Sequence, residues 1–306
     1  MKGLVLKSTG SQYIVKTESN QLLFCTIKGI LRLNEGKGTN PIAIGDWVEY
    51  SENDSKLGVI THIFSRKNYI IRRSTNLSRQ YHILAANIDQ AFLMLSLSQP
   101  ATPMEFIDRF LVTAEAYSIP VVLIFNKIDL LTPELLIQLE DITSVYQKIG
   151  YACFHTSIKE KTGLEPLAKL LLNKVTFISG NSGVGKTSFI NFIEPALNLK
   201  VAEISGFHKK GKHTTTFYEM FELSAGGYII DSPGLKGFGT VDLKREEIFH
   251  FFPEIFHISK NCQFNNCLHL QEPGCAVKIA LKEHKIALSR YRSYISLLNN
   301  EEEKYR

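Results

Sequence analysis

The stretch Gly180-Asn181-Ser182-Gly183-Val184-Gly185-Lys186-Thr187 limits what this chain can fold into more than any other part of it. It fits G-x-x-x-x-G-K-[ST] at every position. An apolar run, Val175 to Ser179, precedes it, and helical periodicity through Ile193 follows. A strand, a glycine turn and a helix in that order curl backbone N–H groups around phosphate oxygens, with the positive end of the helix behind them. Lys186 is expected to reach the β- and γ-phosphates of a nucleotide, and the Thr187 hydroxyl to reach a Mg²⁺ ion, with Ser188 beside it in the first helical turn.

The surroundings agree with an α/β domain over residues 67–240. Ala91 to Leu97 and Val121 to Phe125 are unbroken apolar runs, as in strands buried on both faces. Pro103 to Tyr117, Pro133 to Ile149 and Leu164 to Leu172 have helical periodicity, with Pro103 at a first helical position. Tyr151 to His155 and Tyr228 to Asp231 read as further strands, and the alternating Phe217 to Leu223 reads as an edge strand. Strands alternating with helices predict a mostly parallel sheet covered on both faces.

Three more loops carry chemistry. Asn126-Lys127-Ile128-Asp129 follows the buried strand Val121 to Phe125. The Asp129 carboxylate can accept hydrogen bonds from N1–H and the exocyclic amine of guanine, a pair adenine lacks, so GTP is favoured over ATP. The Lys127 stem can lie on the purine, Asn126 can tie this loop to the phosphate loop, and Thr156-Ser157 can complete the base pocket through backbone donors. Asp231-Ser232-Pro233-Gly234 fits D-x-x-G, whose Asp orients Mg²⁺ through a water and whose Gly N–H meets the γ-phosphate. Upstream, within Lys209 to Thr216, one threonine is expected to complete the Mg²⁺ shell, and Thr215 is favoured. The base-reading loop precedes the phosphate loop, the reverse of an ordinary G domain. Such a reordering is tolerated because the pocket depends on where loops lie in space. Leu235 stands where a water-orienting Gln often follows D-x-x-G. His213 is therefore the candidate for positioning the attacking water, and an external activator is expected.

Residues 1–66 differ in character. Leu4 to Leu6, Tyr13 to Val15, Leu22 to Ile27, Asp46 to Tyr50 and Gly58 to Ile63 are short strands between polar turns, which predicts a small closed barrel of the OB type, with Trp47 in its core. Residues 1–75 hold eleven Lys/Arg against six Asp/Glu, and so carry the whole net charge of +5. With Arg66-Lys67, Arg72-Arg73 and Arg79 in the linker and Lys209-Lys210-Lys212 in the switch segment, this favours a structured RNA held largely through phosphates.

Residues 241–306 are expected to be helical around a metal, with Asp242 capping a helix through Phe251. Cys262-x4-Cys267-x-His269-x5-Cys275 offers three thiolates and an imidazole, a full tetrahedral set for one structural Zn²⁺ per chain. Cys25 and Cys153 stand alone in apolar runs and read as small core residues. No apolar run approaches the ~18 residues of a membrane span, and the first residues lack a secretory signal, so a cytoplasmic protein without membrane contact is expected.

The order N-K-I-D, G-N-S-G-V-G-K-T, G-K-H-T-T-T, D-S-P-G, followed by C-x4-C-x-H-x5-C, resembles the circularly permuted GTPases of the RsgA (YjeQ) type. The resemblance covers nearly the whole chain. It implies a monomeric, zinc-containing, cytoplasmic GTPase that binds GTP and GDP, acts late in maturation of the small ribosomal subunit and is stimulated by it. It also implies a catalytic role for the histidine of G-K-H-T-T-T, here His213. The competing expectation is an RNA-binding assembly module whose G domain holds a nucleotide without hydrolysing it.

Overall fold

The computed structural model describes residues 1–9, 12–29, 41–52, 57–73, 81–200, 219–232 and 243–299. At the N-terminus, β1 (Lys2–Ser8), β2 (Tyr13–Thr17), β3 (Leu22–Ile27), β4 (Trp47–Glu52) and β5 (Gly58–Ile63) pair in the order β1-β2-β3-β5-β4. A β1–β4 pairing closes them into a barrel. The β3–β5 pair is parallel and the others are antiparallel, the OB arrangement. Alternation along each strand sends Val5, Tyr13, Val15, Cys25, Val48, Tyr50 and Ile60 inward. That alternation corrects the expectation for Trp47. With Val48 and Tyr50 inside, the period of two turns Trp47 outward, where it is 39% exposed and lies under the Lys2 ammonium, 4.7 Å from the ring centroid.

The connecting segment forms a separate hairpin, β6 (Tyr69–Arg73) with β7 (Tyr81–Ala86). Its basic residues are not all available to a polyanion. Arg66 donates from Nε and Nη2 to the two oxygens of buried Asp46, both at 2.7 Å, and from Nη2 to the Pro41 carbonyl. Lys67 pairs with Asp89. The side chains of Arg72, Arg73 and Arg79 lie outside the described residues, as do Lys209, Lys210 and Lys212.

The α/β part contains β8 (Gln90–Leu95), α1 (Met104–Ala116), β9 (Val121–Asn126), α2 (Pro133–Ile149), β10 (Ala152–Thr156), α3 (Glu165–Leu171), β11 (Val175–Gly180), α4 (Lys186–Ile193), β12 (Glu219–Glu222) and β13 (Tyr228–Asp231). Pro103 is the residue before α1, not its first helical residue. Thr132 caps α2 by accepting from the Leu135 N–H, Pro133 opens it, and Gly150 at φ +114° ends it. The strand order is β10-β9-β8-β11-β13-β12, parallel except for β12. Two apolar layers cover the sheet. One is built on Leu93, Leu95, Phe110, Leu123, Phe125 and Phe177, the other on Phe92, Ile124, Leu167, Ile178, Phe189 and Ile229. β12 is not an edge strand. It pairs with β1 of the barrel as well as with β13, so one 11-stranded sheet runs through both parts.

After residue 242 come a 3-10 turn (Arg245–Phe251) in place of the expected α-helix, then α5 (Pro253–Ser259), α6 (Ala276–Lys282) and α7 (Leu288–Leu298). Asp242, the expected cap, lies outside the described residues. Phe252, Ile255, Val277, Tyr294 and Leu298 form this module's core, and Val112 of α1 enters it. Fully buried Arg290 of α7 bonds Asp108 of α1 at 2.7 Å and grips Glu254 of α5 with Nε and Nη2, at 2.7 and 3.1 Å. The helical module is thus joined to the α/β part by an ion-pair triad shielded from water.

Candidate GTP site and metal centre

Because β8, β9, β10, β11 and β13 are parallel, their carboxyl ends share one edge, and the loops singled out from sequence leave from it. β9 ends at Asn126, β10 at Thr156, β11 at Gly180 and β13 at Asp231. The chain runs from β8 through β9 to β10, then returns past both to β11 on the other side of β8. The base-reading and phosphate loops flank that switch point, where open α/β sheets bind ligands.

The two loops are locked together. The Asn126 side-chain amide donates to the Val184 carbonyl at 2.8 Å, and its oxygen accepts from the Thr156 hydroxyl at 3.1 Å. Gly180, Gly183 and Gly185 have φ of +145°, +80° and +110°. A Cβ on Gly180 would stand 2.3 Å from the Met94 carbonyl oxygen, and one on Gly185 2.4 Å from the Asn126 amide nitrogen. The glycines serve both curvature and close approach. Gly185 leads into α4, directing its N-terminal N–H groups at the loop.

Lys127 holds a left-handed backbone at φ +66°, which costs a residue with a side chain ~1–2 kcal/mol. Its ammonium donates to the Gln99 carbonyl at 2.6 Å. Ile128 and Asp129 sit in the turn that follows. Ser157 does something its sequence did not suggest. Its hydroxyl donates to Asp129 Oδ1 at 2.6 Å and accepts from the Glu160 N–H, so its side chain orients the Asp129 carboxylate. Gln99 was likewise missed, because a backbone acceptor leaves no mark in the residue type.

Lys186 is buried and donates to the Gly180 and Asn181 carbonyls at 2.8 and 3.0 Å. Burial lowers its pKa, against the opposing pull of Asp231. Burial pushes the Asp231 carboxyl up to about 6, with Lys186 too weak a counter-charge to cancel it. Asp231 Oδ1 is buried with no hydrogen-bond partner among the described residues. An orphaned carboxylate oxygen beside a desolvated ammonium suits a cation with coordinated water, and so fits Mg²⁺. Thr187 and Ser188 open α4 next to Lys186. His213, Thr215, Gly234 and Leu235 lie outside the described residues.

In the helical module, Cys262, Cys267, His269 and Cys275 bring their ligand atoms within 4.8 Å of one another. His269 Nδ1 is 3.6 Å from both Cys262 Sγ and Cys275 Sγ, and the two sulfurs are 4.0 Å apart. A tetrahedron with Zn–S of about 2.3 Å and Zn–N of about 2.0–2.1 Å has edges near 3.5 and 3.8 Å, so the cluster is already close to zinc geometry. All three cysteines are free. Burial pushes the Cys267 thiol up to about 12 and raises Cys275, so without a cation these two thiols hold their protons. The frame is well supported. Tyr291 and Tyr294 donate to the carbonyls of His269 and Leu268, and Glu272 accepts from the N–H groups of Leu268 and Leu270. The four residues form a Cys₃His centre suited to a structural metal.

The comparisons with known proteins point to one family. A family model described as RsgA GTPase matches residues 63–241, and one described as RsgA N-terminal domain matches residues 2–60. A protein of Bacteroides fragilis (strain YCH46) named small ribosomal subunit biogenesis GTPase RsgA is 53% identical, over 100% of this chain and 99% of its own. The Flavobacterium psychrophilum protein of the same name is 50% identical, over 100% and 95%. The crystal structure of YjeQ from Thermotoga maritima superimposes with a TM-score of 0.78 at 31% identity, covering 98% of this chain and 97% of that one. YloQ, described as a circularly permuted GTPase, gives 0.75 at 29% identity, covering 100% and 96%.

Proposed function

The chain belongs to the RsgA family of GTPases, and from that premise we propose that it hydrolyses GTP to GDP and phosphate on the small (30S) ribosomal subunit, late in that subunit's maturation, with the subunit stimulating turnover. The observation that carries this reading is the 2.8 Å bond from Asn126 to Val184, which unites the base-reading and phosphate loops despite their reversed order.

In this reading Asp129, held by Ser157, accepts from the guanine edge, while Lys127 and Ile128 line the base and Thr156 steadies Asn126. Gly180 to Ser188 wrap the phosphates, and Lys186 leaves its carbonyl partners for the β- and γ-oxygens. Thr187, Thr215 and, through water, Asp231 would hold Mg²⁺. When bound, Mg²⁺ would neutralise charge on the phosphates. Gly234 would meet the γ-phosphate, and His213 would position the attacking water. Cys262, Cys267, His269 and Cys275 would hold one structural Zn²⁺. The domains are taken as 1–66 for the RNA-binding barrel, 67–240 for the permuted GTPase and 241–306 for the zinc module. Among the described residues, no helix is long and apolar enough to cross a membrane. The protein is read as a cytoplasmic monomer whose other partner is small-subunit rRNA.

The test is phosphate release from GTP and from ATP, with and without purified small subunits. Turnover of GTP alone, raised severalfold or more by the subunit, is expected. Equal use of ATP would remove Asp129 from its role, and no response to the subunit would overturn the ribosomal reading.

A further inference from the structure

The strand β12 joins the two switch segments. By sequence it begins at Glu219, three positions after Thr216 ends the G-K-H-T-T-T stretch, and the hairpin it makes with β13 ends at Asp231 of D-x-x-G. In register, Glu219 stands opposite Asp231 on one side and opposite Lys7 of the barrel strand β1 on the other. One cross-strand row therefore runs from the barrel to the Mg²⁺-orienting aspartate across two strand spacings, about 10 Å.

The backbone part of this junction is slight, since Lys7↔Glu219 is the sole registered pair between β1 and β12 among the described residues. Side chains reinforce it at both ends of β12. Lys7 of β1 pairs with Glu219 at 3.3 Å. Lys16 of β2 pairs with Glu222 at 2.6 Å, donates to the Tyr228 hydroxyl at 3.3 Å and lies over the Tyr228 ring. Lys16 keeps only 12% of its side chain in water while Glu222 stays 52% exposed, so the second clamp is desolvated on its lysine side alone. Burial works against its charge, yet the bonds it donates to Glu222 and Tyr228, with the charges of those groups, outweigh it and raise its pKa.

We propose that the Lys16–Glu222 and Lys7–Glu219 clamps are positioning elements that transmit engagement of the barrel by ribosomal RNA to the interswitch hairpin, and so carry the subunit's stimulation of GTP hydrolysis. This rests on the ribosomal reading above. None of the four residues meets nucleotide in that reading. They act through the placement of β13 and Asp231, and a strand held at both ends moves as a piece when the barrel is displaced.

Glu222 is the position to change, because it removes the shorter of the barrel's two handholds while leaving the barrel's own surface unaltered. In the full-length protein, Glu222→Gln and Glu222→Lys are expected to keep unstimulated turnover, GTP affinity and co-sedimentation with small subunits. The subunit-stimulated kcat should fall about fivefold or more, the lower end of a typical coupling, with KM little changed. The charge exchange Lys16→Glu with Glu222→Lys should restore most of the stimulation. If wild-type protein is stimulated and E222Q and E222K are stimulated equally well while bound, the clamp inference is overturned alone. If wild-type protein is not stimulated, the ribosomal reading falls with it. If stimulation falls only in step with lost subunit binding, the clamps serve docking and the inference also fails.

Discussion

The side-chain amide of Asn126 donates to the backbone carbonyl of Val184, 58 residues later in the chain. The bond joins the loop after β9 to the turn that opens α4, so neither loop is free to adopt its own optimum. The residue after Val184 is Gly185, and the space its missing side chain leaves is the space Asn126 fills.

Gly185→Ala should break that arrangement. The added Cβ would lie 2.4 Å from the Asn126 amide nitrogen, at a φ of +110° that L-residues avoid. A stability loss of ~1–3 kcal/mol is expected from backbone strain alone, with GTP affinity reduced tenfold or more. Thermal unfolding and titration with a fluorescent GTP analogue measure the two effects. Wild-type affinity in this variant would show that the loops are not interlocked.

Asp231→Asn should have opposite effects on the free and loaded protein. The folded carboxyl is raised to about 6, above its ordinary value. Its contribution to stability is therefore present at pH below that ordinary value and is lost as the pH rises through 6. At pH 7.5 the nucleotide-free wild type should be up to ~3 kcal/mol less stable than D231N, and at pH 4 nearly equal to it. With Mg²⁺ and GTP present the order should reverse, since only the carboxylate can serve the cation. Unfolding curves at the two pH values check the first claim. A variant less stable than wild type at pH 7.5 without nucleotide would contradict the balance of burial over the Lys186 charge.

Arg290→Met should cost ~3–5 kcal/mol, because it leaves fully buried Asp108 and half-buried Glu254 without their cation. Adding Asp108→Asn should recover part of the loss, since one stranded charge is removed. Urea unfolding of wild type, Arg290→Met, Asp108→Asn and the double variant gives the comparison, and additive losses in the double variant would show that the residues do not interact in the fold.

Metal analysis should find one zinc per chain, bound at the Cys₃His cluster. Cys262→Ser or a strong chelator should lower the melting temperature and expose residues 243–299 to protease, with GTP affinity nearly intact. Zinc retention should weaken as the pH falls, because each thiolate ligand competes with a proton and burial already favours the protonated thiols of Cys267 and Cys275. Retention unchanged down to pH 5 would exclude thiolate ligation.

Much of the site is legible before any coordinates exist, and for one reason. Gly180 to Thr187, Asn126 to Asp129 and Cys262 to Cys275 are local patterns, in which residue type and spacing along a few turns of backbone state the chemistry. Even Trp47 was within reach, since the alternation that seats Val48 and Tyr50 inside already turns it outward. The place of β12 was not. Alternation marks Glu219 to Glu222 as a strand but says nothing of which strands lie on either side.

The sequence by itself determined the candidate nucleotide and metal motifs, the barrel's strands and the reversed order of the loops, because these follow from short-range spacing and the periods of strand and helix. Only the tertiary structure decided that Arg66 is spent on Asp46, that Ser157 aims Asp129, that Arg290 reaches Asp108 across 182 residues, and that the barrel's sheet runs into β12. Those are pairings between separately formed surfaces. They depend on how packed elements face each other, and no local pattern carries that.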